Sequence, residues 1–231
     1  MRKASEILYR FRGYILALFA VALLACPAAP FPQNYSRMAE VGPYIGTLLF
    51  YILGIALRIR ARQFIGQHTR GSTHEAAELV TDGPYAHMRH PLYTSNTYIA
   101  LGAIFFHLGV SGLFHIFIIA IALFEYALAR AEDRFLEEKF GDTWRAWALR
   151  TPMSTANIEA LFCRNSGGSS KPATSEAVPA INEASPATNK AAPATSGPTR
   201  TVLQAFRADA STWFWFVFFN LIMVLLKIYT A

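Results

Sequence analysis

The sequence predicts an all-α, polytopic integral membrane protein with about five transmembrane helices. Three observations predict it. The 231 residues are 53% hydrophobic with a mean hydropathy of +0.27, and only 16% are charged, whereas a soluble domain carries about a quarter. Long runs contain no Asp, Glu, Lys or Arg: Gly13 to Ser36, Val41 to Leu57 and Ala210 to Leu226, with Glu125 alone between Pro91 and Ala129. Finally, placing five spans on these runs puts 19 of the 21 Lys and Arg on one side, leaving Arg37 and Lys227 on the other. The positive-inside rule makes the crowded side, with the N-terminus, cytoplasmic.

The elements follow in order. Arg2, Lys3, Arg10 and Arg12 precede YILALFAVALLA; this reads as a retained first span over 14–31 rather than a cleaved signal peptide, because further spans follow it. A second span covers 41–58. The third, 91–108, opens on Pro91, a residue suited to the first helical position because its missing N–H has no helical partner there. Gly109-Val-Ser-Gly112 reads as a turn into a fourth span over 113–130. That helix continues outward, with Phe135, Leu136 and Phe140 at helical spacing, and Gly141 stops it. Trp144 and Trp147 suit the headgroup level, and His107 and His115 read as interfacial. From Arg164 to Arg200, 26 of 37 residues are Ala, Pro, Ser, Thr or Gly, and Pro172, Pro179, Pro186 and Pro193 fall seven apart. Proline at each repeat forbids a coiled coil, so 163–209 reads as a disordered linker before a last span over 211–229. The organisation is a first helix and outer loop (1–40), a core (41–162), the linker (163–209) and a C-terminal helix (210–231), set in a bacterial inner membrane or an endoplasmic reticulum.

Composition excludes several chemistries. Cys26 and Cys163 cannot build a thiolate metal site. His87 and His90 lack an evident third ligand, so no metal is expected. The Lys and Arg lie between apolar runs rather than in one patch, which argues against nucleic acid, and no glycine-rich phosphate loop is present. Two segments on the basic side carry chemistry instead. In LVTDGPYAHMRHPLYTSN (79–96), Gly83-Pro84 marks a turn, and Pro91 places His90 at a helix entrance whose free N–H groups favour anions. In ARAEDRFLEEKFGDTWRAWALRTP (129–152), Glu132 lies one turn beyond the apolar core. Glu125, seven residues earlier on the same face, is an intramembrane carboxylate of the kind that marks a functional site or a polar partner. Spacing alone leaves His90 open as an interfacial cap and Arg89 as a ligand of lipid phosphate.

Together the two segments resemble the isoprenylcysteine carboxyl methyltransferase and phospholipid methyltransferase family of membrane enzymes. The first motif stands as Gly83-Pro84-Tyr85, Arg89-His90-Pro91 and Tyr93. The second stands as Glu132-Asp133, Leu136, Phe140-Gly141, Trp144, Trp147, Arg150 and Pro152. The resemblance covers roughly 41–152. The chain departs from the family pattern in having Asp133 for a second glutamate, tryptophan for two tyrosines, and Ser95 where a small residue is usual.

The resemblance implies methyl transfer from S-adenosyl-L-methionine at the cytoplasmic ends of the spans. Tyr85, Arg89, His90, Pro91, Tyr93, Glu132 and Asp133 would bind the cofactor, and His90, Arg89 and Glu132 would serve catalysis. The acceptor would be lipophilic, an isoprenylcysteine carboxylate or a lipid-borne nucleophile reached through membrane lipids. Two other functions fit the same pattern: an NADPH-dependent membrane reductase of the sterol-reductase type, and a non-enzymatic lipid-binding membrane protein.

Overall fold

The computed structural model describes residues 2–65, 78–154 and 198–230, all helix, turn or irregular chain. In order they are α1 (Arg2–Ala25), α2 (Met38–Phe64), a single 3-10 turn (Gly83–Ala86), α3 (Pro91–Leu108), α4 (Gly112–Phe140), α5 (Asp142–Ala148), α6 (Val202–Ala208) and α7 (Ala210–Thr230). The fold is the expected all-helical one. Five long helices occupy the five apolar runs. Among the described residues, three are long and apolar enough to cross a membrane: Met38–Phe64, Gly112–Phe140 and Ala210–Tyr229. The first half of α3 is instead polar, with Tyr93, Thr94, Ser95, Asn96, Thr97 and Tyr98 in succession.

Among the described elements α2 and α3 share the most extensive helix–helix seam, and small residues let them approach. A Cβ on Gly54 would stand 3.0 Å from the Ser95 carbonyl oxygen, and one on Gly102 would meet the Tyr51 ring at 2.4 Å. Thr47 ties the same seam, its hydroxyl donating to the Gly102 carbonyl at 3.1 Å. Small residues let helix backbones approach in just this way inside a bilayer, where packing rather than hydrophobicity drives association. The apolar core then gathers residues of α1, α3, α4 and α7, among them Leu23, Ile104, Ile121, Leu128 and Met223.

Several expectations are corrected. The first span was expected to reach residue 31, but α1 ends at Ala25; Pro27, Pro30 and Pro32 follow, and proline cannot continue the ladder. His107 is fully buried rather than interfacial, because its Nε2 meets the Cys26 carbonyl at 3.0 Å. This contact, with Ala29 N–H donating to the His107 carbonyl at 2.7 Å, straps the chain after α1 to the end of α3. Lys227 closes the same end. Its ammonium is fully buried, donates to the Ala29 carbonyl and the Tyr44 hydroxyl, and faces the rings of Phe31, Tyr44 and Phe106.

Trp144 and Trp147 are buried, not exposed to headgroups. The turn at Gly141 folds α5 back so that both indoles pack with Ala61, Phe64 and Tyr85. Most of the expected linker lies outside the described residues, but its last stretch is ordered. The Thr199 and Arg200 N–H groups donate to the Gln63 carbonyl at 2.8 and 3.1 Å. Thr201 and Gln204 then form a capping box that opens α6, satisfying helix-end donors that would otherwise lack partners.

Candidate active site

At the end of the bundle opposite Lys227, a cavity of about 460 Å3 opens between the start of α1, the end of α2, the 3-10 turn, the entrance of α3, the outer part of α4 and the start of α7. That volume suits a cofactor-sized molecule. Of the residues singled out from the sequence, Tyr85, Arg89, His90, Pro91, Tyr93 and Glu132 line it. Asp133 does not; it stands behind the wall.

The convergence has a local cause at each step. Pro91 opens α3 and leaves His90 at the N-cap with φ −127°. The backbone before it is clamped by the chain after α5: Arg89 N–H donates to the Pro152 carbonyl at 2.9 Å and His90 N–H to the Met153 carbonyl at 3.3 Å. This accounts for a motif that ends at Pro152. Trp147 adds an indole N–H bond to the Tyr85 carbonyl at 3.2 Å. Opposite them, α4 carries consecutive carboxylates that divide the work. Asp133 is buried, with one oxygen 2.8 Å from His90 Nε2 and the other 3.1 Å from Arg89 Nη1. Its shorter side chain therefore reaches both partners. Glu132 Oε2 lies 3.8 Å from His90 Nδ1, and the Tyr93 hydroxyl hydrogen-bonds to the same carboxylate.

These contacts fix orientation. With Asp133 on Nε2, the imidazole is held so that Nδ1 points to Glu132, as in other sites where a buried carboxylate orients a histidine. Arg89 is held from both sides, by Asp133 and by the Trp144 ring 5.6 Å from its guanidinium carbon. The Tyr85 hydroxyl is buried in the wall; burial and then the charge of Glu132 raise its pKa above the usual phenol value of 10.0, so it stays a hydrogen-bond donor.

Sequence reasoning missed part of the wall. Tyr9, Arg10 and Arg12 of α1, Arg58 and Arg62 of α2, Asn96 of α3 and Thr212 of α7 also line the cavity. The polar Asn96 inside an apolar run, and Arg58 and Arg62 four apart at a span's end, were the available signals. Glu125 is buried beside this wall, facing Asn96, with Arg58 and Arg12 as charged neighbours. Among the described residues no group of three His, Cys, Asp or Glu is placed to hold a metal.

Known proteins share the middle of the chain, where His90 and Glu132 lie. Residues 42–143 match the family model described as phospholipid methyltransferase. This segment carries the first motif and the second as far as Gly141, ending two residues into α5, and supports the resemblance drawn from them. A cobalt-zinc-cadmium resistance protein, CzcN, of Cupriavidus metallidurans is 35% identical over 115 residues, 48% of this chain and 50% of that protein. A nickel-cobalt-cadmium resistance protein, NccN, of Alcaligenes xylosoxydans xylosoxydans is 33% identical over 103 residues, 44% of this chain and 46% of that protein. The chain thus spans about half the length of the curated relatives it matches. No solved structure matches.

Proposed function

We propose that the protein transfers a methyl group from S-adenosyl-L-methionine to a lipophilic acceptor, an isoprenylcysteine carboxylate or a lipid-borne nucleophile, at the cytoplasmic face of the membrane. The observation that carries this reading is the cavity in which His90 and Glu132, 42 positions apart in the chain, stand 3.8 Å from one another in the segment matching the methyltransferase family.

The residues present fit the cofactor. On the residues that line the cavity, three polar atoms, Tyr85 Oη, Arg89 Nε and Arg12 Nη1, are buried without a hydrogen-bond partner among the described residues, and such atoms ordinarily have one. Their donors suit a carboxylate, while the half-exposed Glu132 suits a cationic group. When bound, the cofactor supplies an electrophilic methyl on a sulfonium. Arg89 and Arg12 would hold the carboxylate end, Glu132 the ammonium or sulfonium, and the faces of Tyr85 and Tyr93 offer negative quadrupoles to a cation. Backside displacement needs alignment and a dry site more than acid–base power. The buried frame of Asp133, His90 and Arg89 provides that rigidity. His90 Nδ1, facing the cavity, would take a proton where the acceptor is protic.

Isothermal titration of the detergent-solubilised protein tests the reading. S-adenosylhomocysteine should bind in the micromolar range and NADPH should not; the reverse would overturn the assignment in favour of a reductase. His90→Ala and Glu132→Gln should each weaken binding at least about tenfold, ~1.4 kcal/mol; unchanged binding would leave only a lipid-binding role. The names of the two relatives make metal stress the condition in which to seek the acceptor. Lipids from cells with and without the gene, grown with and without cobalt or cadmium, would reveal it by a mass difference of one methylene unit, a methyl replacing a hydrogen.

A further inference from the structure

Five arginines line the cavity, Arg10, Arg12, Arg58, Arg62 and Arg89, against one lining acidic residue, Glu132. Left alone, such a wall would repel a ligand that carries a sulfonium as well as an ammonium group. Two buried aspartates stand directly behind it. Asp133 covers Arg89 and His90. Asp209, 1% exposed, places one oxygen 2.8 Å from Arg58 Nε and 3.0 Å from Arg62 Nε. Asp209 sits at the corner between α6 and α7, far outside the segment that matches the methyltransferase family. The same corner supplies Thr212, which lines the cavity and accepts from Arg58 Nη2 at 3.3 Å, while Arg58 Nη1 donates to Asn96 at 2.6 Å. Glu125 is a deeper neighbour of Arg58 and Arg12, and Asp209 bridges Arg58 and Arg62 directly.

We propose that Asp209 is a positioning residue that sets the charge of the cofactor cavity: by offsetting Arg58 and Arg62, the C-terminal helix pair makes the site tolerate a cationic sulfonium. The proposal rests on the cofactor reading above. It gives the last helix a function in the site rather than a purely anchoring one. Its signature is a discrimination between two ligands of nearly equal shape, S-adenosyl-L-methionine with a charged sulfur and S-adenosylhomocysteine with a neutral one.

The experiment measures the affinity of the full chain in detergent for both ligands. In Asp209→Asn, the affinity for S-adenosyl-L-methionine should fall about fivefold further than that for S-adenosylhomocysteine, because one uncompensated charge acts across a partly desolvated site. Adding Arg62→Gln to that variant should return the ratio to within about twofold of the unaltered protein, since the net charge is restored. A mere structural clamp behaves otherwise: both ligands weaken equally in Asp209→Asn, and removing a second partner makes matters worse. Either result would overturn the proposal, as would an unchanged ratio. If Asp209→Asn does not fold, Arg62→Gln alone should shift the ratio toward S-adenosyl-L-methionine, and no shift would refute the idea. An unaltered protein that binds neither ligand would instead bring down the cofactor reading, and this proposal with it.

Discussion

The Asp133 carboxylate offers the sharpest test of how the site is built. It is buried, accepts from His90 Nε2 at 2.8 Å and faces Arg89 Nη1 at 3.1 Å. In Asp133→Asn the shape and one acceptor remain but the charge is lost. A hydrogen bond to a charged group contributes about 1.5–3 kcal/mol and a neutral one about 1. The charge-assisted hydrogen bond to His90 thus gives way to a neutral one, and the largely buried Arg89 loses the counter-ion of its guanidinium. The loss worked from these contacts is about 2–5 kcal/mol, in line with the ~3–5 kcal/mol found when one partner of a buried pair is removed. For a chain of this size each kcal/mol lowers Tm by about 2–4 °C, so the melting temperature in detergent should drop by roughly 4–20 °C. A double-mutant cycle with Arg89→Gln should return a coupling of about 1–3 kcal/mol. Should the two substitutions add within ~0.5 kcal/mol and Tm hold steady, the triad is incidental packing, and His90 is not oriented by Asp133.

Three further outcomes follow from single contacts. Tyr85→Phe removes a buried hydroxyl that has no hydrogen-bond partner among the described residues, so Tm should stay within about 2 °C while S-adenosylhomocysteine binding weakens by roughly threefold to tenfold, the value of one neutral hydrogen bond. Because burial and Glu132 raise the Tyr85 pKa, the stability linked to its phenol is complete below pH 10.0 and is lost as pH climbs from there toward the raised folded value; in ultraviolet titration of the phenolates, Tyr85→Phe should have one fewer late-ionising tyrosine than the unaltered protein. Gly102→Val would drive side-chain atoms into the Tyr51 ring and toward the Thr47 carbonyl at 3.2 Å; overpacking of this kind costs about 1–3 kcal/mol, read as a lower Tm and as loss of ligand binding if α3 shifts.

How much of this was legible in the sequence depended on the distance over which residues act. The helices were readable because charge-free runs report burial in lipid one residue at a time. His90 and Glu132 could be brought together because Pro91 fixes one helix entrance and the two motifs flank a single hairpin, α3–α4, with a short turn at Gly109. By contrast, the partner of Arg58 and Arg62 lies about 150 positions away, and nothing in the local pattern around Asp209 marks it as an inward-facing group. Trp144 and Trp147 misled for a related reason: an indole suits the headgroup region and a buried turn equally well, and only the reversal at Gly141 decides between them. The prolines after Ala25 could have ended the first helix in the sequence reading, but hydropathy counts Phe31 and the alanines as apolar and is blind to the missing N–H.

The division of labour between adjacent carboxylates bears on which residue does chemistry. Asp133 is hydrogen-bonded to His90 through one oxygen, ion-paired with Arg89 through the other and set behind the cavity wall, so it orients. His90 has one nitrogen committed to Asp133, and Arg89 is pinned between Asp133 and the Trp144 ring. Glu132 is the lining carboxylate left facing the cavity, with its side chain 35% exposed. Only a group with that freedom can follow a ligand as it enters and seats. If methyl transfer is limited by alignment, loss of Glu132 should therefore act mainly on binding. Loss of Asp133, by letting His90 and Arg89 wander, should act mainly on turnover at saturating cofactor. A KM–kcat split that runs the other way would place the flexible and the rigid halves of this site in opposite roles.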